Sequence, residues 1–187
     1  MANKVKFGLK NVVVFPITED TAERLTYGSA IKISGAVSLS IKASGDSNEF
    51  YADDTIYFSE FSNNGYEGDL EVALIPEEFE IGILGYAKDK NGAISETTAI
   101  KAKNYALAFE IDGDSKKTRH LLYKCNSSRP DLEGETKKEK TEPKTDKLGI
   151  KAMPTLKDGL IKIKIEQGKT GYDTFFDAPY MPQAVGI

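Results

Sequence analysis

Twelve residues, Ile31 to Lys42, alternate without a break. Ile31, Ile33, Gly35, Val37, Leu39 and Ile41 fall on one side, and Lys32, Ser34, Ala36, Ser38, Ser40 and Lys42 on the other. A period of two belongs to an extended chain buried on one face; a helix would scatter the same apolar residues around its circumference. The pattern returns at Tyr66 to Leu74, where Tyr66, Gly68, Leu70, Val72 and Leu74 oppose Glu67, Asp69, Glu71 and Ala73. It returns again at Ile161, Ile163 and Ile165, opposite Lys162, Lys164 and Glu166. These stretches commit the chain to a mainly β fold.

The remaining segments fit that frame. Val12 to Phe15 reads as a first strand ended at Pro16, because proline removes a ladder donor. Thr18 to Leu25 reads as a helical turn. The Gly45-Asp46 turn leads into an aromatic segment, Phe50 to Phe61, closed by Asn63-Asn64-Gly65, residues that tolerate positive φ. One short helix is expected from Pro76 to Gly85. Proline suits its start, Glu77 and Glu78 suit its dipole, Phe79 and Ile83 lie a turn apart, and Gly85 stops it. Asn91-Gly92 marks a hairpin before Ile94 to Ala102. Tyr105, Leu107, Phe109 and Ile111 share a strand face, and Lys117 to Cys125 forms the next strand. Asn126 to Lys147 is polar throughout and reads as a long loop. Tyr172 to Ile187, with Phe175, Phe176, Pro179, Tyr180 and Pro182, reads as an apolar arm docking on something. The tally is about eight strands and one helix in a single domain, residues 1–187: a β-sandwich or partly closed barrel.

Charge is distributed unevenly. Ala43 to Ala87 holds eleven Asp or Glu and no Lys or Arg, so with a total of −4 the rest of the chain stands at +7. Motifs for chemistry are sparse. Gly168-Lys169-Thr170 lacks the glycine that a phosphate-binding loop needs five positions earlier, where Ile163 stands. Asp112 and Asp114 open no calcium loop, since Lys116 and Tyr123 occupy later ligand positions. His120 is the sole histidine and stands among Leu and Tyr without a catalytic partner nearby. Asp53-Asp54 is a carboxylate pair or, more simply, a turn. Cys125, the only cysteine, is read as a small buried hydrophobe. Asn126-Ser127-Ser128 matches a glycosylation sequon, which matters only in a secreted chain. The lysine-rich segments are interleaved with Glu and lack aromatics, which argues against specific duplex binding. No secretory leader and no apolar run of membrane-spanning length is seen, so a soluble chain made in the cytoplasm is expected. No catalytic constellation, metal set or cofactor motif is found, and an enzyme is not expected.

Several short motifs follow one another along the chain. They are Gly8-Leu9-Lys10-Asn11-Val12, Tyr27-Gly28 with Gly35-Ala36-Val37, and Tyr51-Ala52-Asp53-Asp54. Gly65-Tyr66-Glu67-Gly68-Asp69-Leu70 follows, continuing through Ile75-Pro76-Glu77-Glu78-Phe79 to Ile83-Leu84-Gly85. Then come Ala106-Leu107-Ala108-Phe109-Glu110 with Asp112-Gly113-Asp114, Leu122-Tyr123-Lys124-Cys125, and Arg129-Pro130. In their order and spacing these motifs resemble the major tail (tail-tube) proteins of bacteriophages with long, non-contractile tails, and the resemblance covers most of the chain, least clearly its last forty or so residues. It implies a β-sandwich or barrel flanked by one helix. It also implies hexameric rings stacked as a tube around a tape-measure protein, capped by tail-terminator and distal tail proteins, through which DNA passes. The virion tail would be the destination, reached after assembly in the host cytoplasm. An additional immunoglobulin-like domain, present in some members, is not expected in residues 1–187.

Two expectations about sites follow. Glu67, Asp69 and Glu71 share one strand side and are candidates for the tube lumen, where carboxylates repel DNA that basic residues would trap; an ordinary solvated outer face is the alternative. The loop Asn126 to Lys147 and the aromatic residues Tyr172, Phe175, Phe176 and Tyr180 are candidate subunit or ring contacts, ordered only on assembly. Removing Tyr172 to Ile187 would then leave folded monomers that make no tubes. A monomeric β-sandwich binding module is the rival reading, for instance one that takes carbohydrate on a platform of Tyr51, Tyr57 and Phe58.

Overall fold

The computed structural model describes residues 8–113, 116–132, 134, 136 and 144–183. Asp114, positions 133, 135 and 137–143 of the polar loop and positions 184–187 of the arm therefore lie outside the described residues. In chain order the elements begin with β1 (Leu9–Asp20), β2 (Leu25–Tyr27), β3 (Ile31–Lys32) and β4 (Ala36–Ser44). A hairpin, β5 (Ser47–Ala52) and β6 (Thr55–Phe61), precedes β7 (Gly65–Val72). Helix α1 (Glu77–Phe79) runs on as a π-helical turn, Glu80–Leu84. Short strands β8 (Ala87–Lys88) and β9 (Ile94–Ser95) pair with each other. Last come β10 (Tyr105–Ile111), β11 (Arg119–Ser127), β12 (Asp146–Ala152) and β13 (Lys162–Ile165).

The fold is mainly β, with one large antiparallel sheet and one short helix, as the alternation requires. Its order is β2-β1-β10-β11-β12-β7-β4, with β13 added to β11 and β3 added to β1. Because β3 bonds to β1 while β4, next in the chain, bonds to β7, the sheet curls back on itself into a partly closed barrel. The inward side chains form one core: Val12, Val14, Leu70, Val72, Leu107, Leu122, Leu148 and Ile150, plugged by Phe79, Ile83 and Leu84 of the helix. Phe79 meets Tyr105 edge-on at 5.7 Å. The predicted helix is present where expected, with Gly85 at φ +83° closing it through Tyr86 N–H to Glu80 O, 3.0 Å.

Strands β1, β10 and β11 are buried on both faces. Their outward residues Val13, Phe15, Ala106, Ala108, Leu121 and Tyr123 make a second core with Ile165, Tyr172 and Phe175. The C-terminal segment is therefore a lid on its own chain. Arg119 fastens it: its guanidinium lies 3.9 Å from the Tyr172 ring centre and 4.5 Å from that of Phe176, while Nη1 donates to Tyr172 O. Glu110, buried beside it, holds Arg119 Nε at 3.2 Å. Tyr172 Oη donates to Lys117 O (2.9 Å) and Tyr123 Oη to Tyr180 O (2.7 Å).

Three sequence expectations are corrected. The first strand runs through Pro16, which pairs with Tyr105. Across from β10, β1 is bordered by β3 at Val13–Val14 and by β2 from Ile17 onward, so Pro16 sits at the gap where a missing N–H costs no ladder bond. Thr18 to Leu25 is the end of β1 and a tight turn, closed by Thr21 N–H to Arg24 O (2.8 Å), with no helical turn. The alternating run Ile31 to Lys42 is two strands, because its halves serve opposite edges of the curl. Gly35, at φ +77° and with space for no more than a tight Cβ against Ala73, makes the switch. The strand tally also rises, since short hairpins and this split add elements.

Phe175 is fully buried beneath the lid. Phe175→Ala is expected to lower unfolding free energy by about 3–5 kcal/mol. Chemical denaturation monitored by tyrosine fluorescence checks this, and a loss below 1 kcal/mol would place the lid outside the core.

Candidate functional site

Strands β4 and β7 do not end at the barrel rim. Beyond the Ser44–Gly65 pair the two chains continue as β5 and β6, held at the junction by Asn64 N–H to Ser44 O and Ser62 N–H to Asp46 O, both 2.9 Å. Gly45 is required there, since any Cβ would lie 1.9 Å from Ser62 O. The hairpin turns at Asp53-Asp54, with φ of +51° and +60°, the pair of left-handed residues that defines a type I′ turn. Asp53 and Asp54 are thus turn formers. Six residues of strand carry the ribbon about 20 Å beyond the barrel.

Neither face of this ribbon is covered. All of Thr55–Phe61 and all of β5 except half-buried Ala52 are exposed, with Tyr57 at 76% and Phe61 at 78%. Register places Phe50 beside Phe58 on one face and Tyr51 beside Ile56 on the other, with a bulge between the pairs. Five carboxylates, Asp46, Glu49, Asp53, Asp54 and Glu60, share the segment with no cation. An isolated two-stranded hairpin is marginal in water, and each large apolar side chain left uncovered forgoes about 1.5–3 kcal/mol. The same register separates Tyr51 from Phe58 on opposite faces, so these residues form no single flat platform. The sequence signal lay in the consecutive pairs Phe50-Tyr51 and Tyr57-Phe58, which no one-faced strand accommodates.

The acidic strand lies on the barrel wall. Glu67, Asp69 and Glu71 point outward from β7, while Leu70 and Val72 enter the core, as alternation required. Neighbouring strands supply what inspection of β7 alone missed. Lys42 and Lys151 flank Glu67, Lys147 stands across from Glu71, and Lys147 Nζ reaches Asp69 Oδ2 at 3.2 Å. The wall therefore carries charges of both signs side by side, with a shallow cleft of ≈ 560 Å³ at its Glu67 end. Glu71 also accepts from Thr145 Oγ1 (2.5 Å) and Ser38 Oγ (2.9 Å).

Of the four C-terminal aromatics, Tyr172 and Phe175 are buried in the second core, and Phe176 and Tyr180 are half-buried against it. This corrects the expectation that they order only between subunits: the outer face of β1, β10 and β11 needs an apolar cover within the chain. Removing Tyr172 to Ile187 would strip that cover. His120 stacks on Phe109 at 5.1 Å, consistent with a structural role. Cys125 is fully buried, and burial pushes its thiol far up, away from the nucleophilic form. Among the described residues no group of three or more His, Cys, Asp or Glu is placed to hold a metal, and no helix is long and apolar enough to cross a membrane.

A scan against protein-family models finds no match, and no curated protein matches the chain.

The hydroxyl of Thr145, then that of Ser38, holds the Glu71 carboxyl below its ordinary range. A depressed carboxylate favours the folded state above its ordinary titration range, and that contribution fades as pH falls through the depressed value. Thr145→Val is expected to move the Glu71 titration, followed by carboxyl NMR, upward toward the ordinary value. An unchanged titration would show that the hydroxyl is not its main partner.

Proposed function

We propose that this chain is a structural, non-enzymatic tail-tube subunit of a long non-contractile-tailed bacteriophage. It assembles into hexameric rings stacked around a tape-measure protein and joined to tail-terminator and distal tail proteins, leaving a conduit for DNA. The observation that carries the self-assembly reading is the hairpin Asp46 to Ser62: a two-faced apolar ribbon with five carboxylates, projecting from an otherwise well-covered barrel. Such a ribbon gains stability only against a partner surface. The order of motifs from Gly8 to Pro130 supports the family assignment, and the barrel with one short helix agrees with it. The split of Tyr51 and Phe58 across two faces disfavours the carbohydrate-platform alternative. Negative-stain microscopy of the purified protein tests the reading: rings or tubes are expected, and uniform monomers at every concentration would contradict it.

The lumen-facing role of Glu67, Asp69 and Glu71 belongs to the same proposal, in a sharper form. Lys42, Lys147 and Lys151 beside them are the groups that would hold phosphate; Lys147 is ion-paired to Asp69, and Lys42 and Lys151 stand on either side of Glu67. A wall of this kind is slippery because carboxylates stand beside its cations and compete with phosphate for them, rather than because it is uniformly acidic. Replacing the three acids together (Glu67→Gln, Asp69→Asn, Glu71→Gln) is expected to create duplex-DNA binding. Its log affinity should fall with log salt by about 0.9 per phosphate neutralised. A triple variant that binds DNA no more tightly than the native protein would remove these residues from the conduit.

A further inference from the structure

Two asparagines in the chain precede glycine, in Asn64-Gly65 and Asn91-Gly92. The dipeptide is reactive because a glycine nitrogen, with no Cβ beside it, can swing onto the side-chain carbonyl carbon of the residue before it. The fold treats the two pairs differently. Asn64-Gly65 is held at the start of β7: Asn64 N–H donates to Ser44 O (2.9 Å), its Nδ2 to Asp46 Oδ2 (3.4 Å), and Gly65 N–H to Asn63 Oδ1 (3.2 Å). Gly65 is buried, and a Cβ there would lie 2.0 Å from Ala152 O, so this backbone is wedged between β4 and β12. Asn91-Gly92 instead sits in the turn between β8 and β9, strands of two residues each. Every position from Ala87 to Ala99 is exposed, and none belongs to either core. Asp89 Oδ1 shapes the turn by accepting from the N–H groups of Asn91 and Ala93, both at 2.8 Å. Gly92 N–H donates only to Asp89 O, at 3.2 Å, and a Cβ at Gly92 would meet nothing closer than Lys88 Cε at 3.8 Å. Among the described residues the Asn91 carboxamide has no hydrogen-bond partner.

We propose that Asn91 is a site of spontaneous modification, converted by water to aspartate and isoaspartate, while the fold shields Asn64. The Gly92 nitrogen gives its proton to solvent base and attacks Asn91 Cγ. The new N–Cγ bond closes a cyclic imide, and Nδ2 leaves as ammonia. Water then opens the ring at either carbonyl. Breaking the N–Cγ bond gives aspartate; breaking the bond from nitrogen to the former main-chain carbonyl gives isoaspartate, with the chain running through Cβ. The sum is one carboxamide and one water in, one carboxylate and one ammonium out. The step needs a free Gly92 N–H and a carboxamide able to rotate. At Asn91 that takes the loss of one turn bond beside an exposed pairing of two residues, which frays at little cost. At Asn64 it takes the release of β7 from β4, so opening there follows the stability of the sheet. The product changes the turn. Lys88, Asp89 and Lys90 sum to +1, and a carboxylate at position 91 brings the tip to zero. Isoaspartate also lengthens the backbone inside the turn that Asp89 caps.

Peptide mapping by mass spectrometry, after incubation of the folded protein in mildly alkaline buffer, reads both sites in one sample. Conversion at Asn91 is expected to run at least about tenfold faster than at Asn64. In urea, where neither site is shielded, the two rates should converge. Gly92→Ala crowds the attacking nitrogen and should slow conversion at Asn91 by about tenfold. Its thermal melt should follow the native protein, since the turn touches neither core. Position 92 has φ +88°, so the same variant is also compared in urea, where strain in the turn plays no part, and the slowing should persist. Equal rates at the two sites in the folded chain would overturn the proposal. So would an Asn91 that remains an amide in the folded protein, or a conversion rate in urea that Gly92→Ala leaves unchanged.

Discussion

The constraint on which the structure depends is that β1, β10 and β11 are apolar on both faces. Six consecutive residues of β10, Tyr105 to Glu110, are buried. Such strands cannot belong to a one-layer sheet facing water. One face is covered because the sheet curls into a barrel plugged by Phe79, Ile83 and Leu84; the other is covered by the C-terminal segment, pinned through Arg119. The curl in turn requires a strand to leave one edge and join the other, and that requirement places Gly35. Element by element, burial on two faces sets the topology.

Moving round the barrel, cover thins out. The ribbon of β4 and β7 is buried on one face only, with charges of both signs from neighbouring strands on the other. Its continuation, β5 and β6, is covered on neither. Cover thus falls from a double core at β1, β10 and β11 to a wet wall at β4 and β7, and from there along one continuous pair of strands to a bare projection. Its charge follows the same path, since the bare end has carboxylates alone while lysines from β4 and β12 serve the wall. The reading as a self-assembling subunit comes from this gradient: among the described residues the uncovered apolar surface is concentrated at the hairpin end.

Alternation made the main strands legible, including which side of β7 faces the core, and the helix was legible from Pro76, the glutamates and Gly85. What sequence order left out was who stands beside whom. Lys42, Lys147 and Lys151 are 25 to 84 residues from Glu67 along the chain and adjacent to the acidic strand only through register. Tyr172 and Phe175 looked like a free arm because the face that they cover is assembled from three distant strands. Pro16 looked like a terminator because the gap between β2 and β3 is a tertiary feature. The hairpin was half legible: its turn residues and aromatics were evident, but its exposure on both faces needed the register of β5 against β6.

Hydrogen exchange of the native protein across a concentration series tests most directly whether the hairpin needs a second copy. Amides of Ser47–Ala52 and Thr55–Phe61 should exchange fast in dilute solution and become protected as concentration rises, while those of β10 stay protected throughout. Hairpin amides whose protection does not change with concentration would contradict the account.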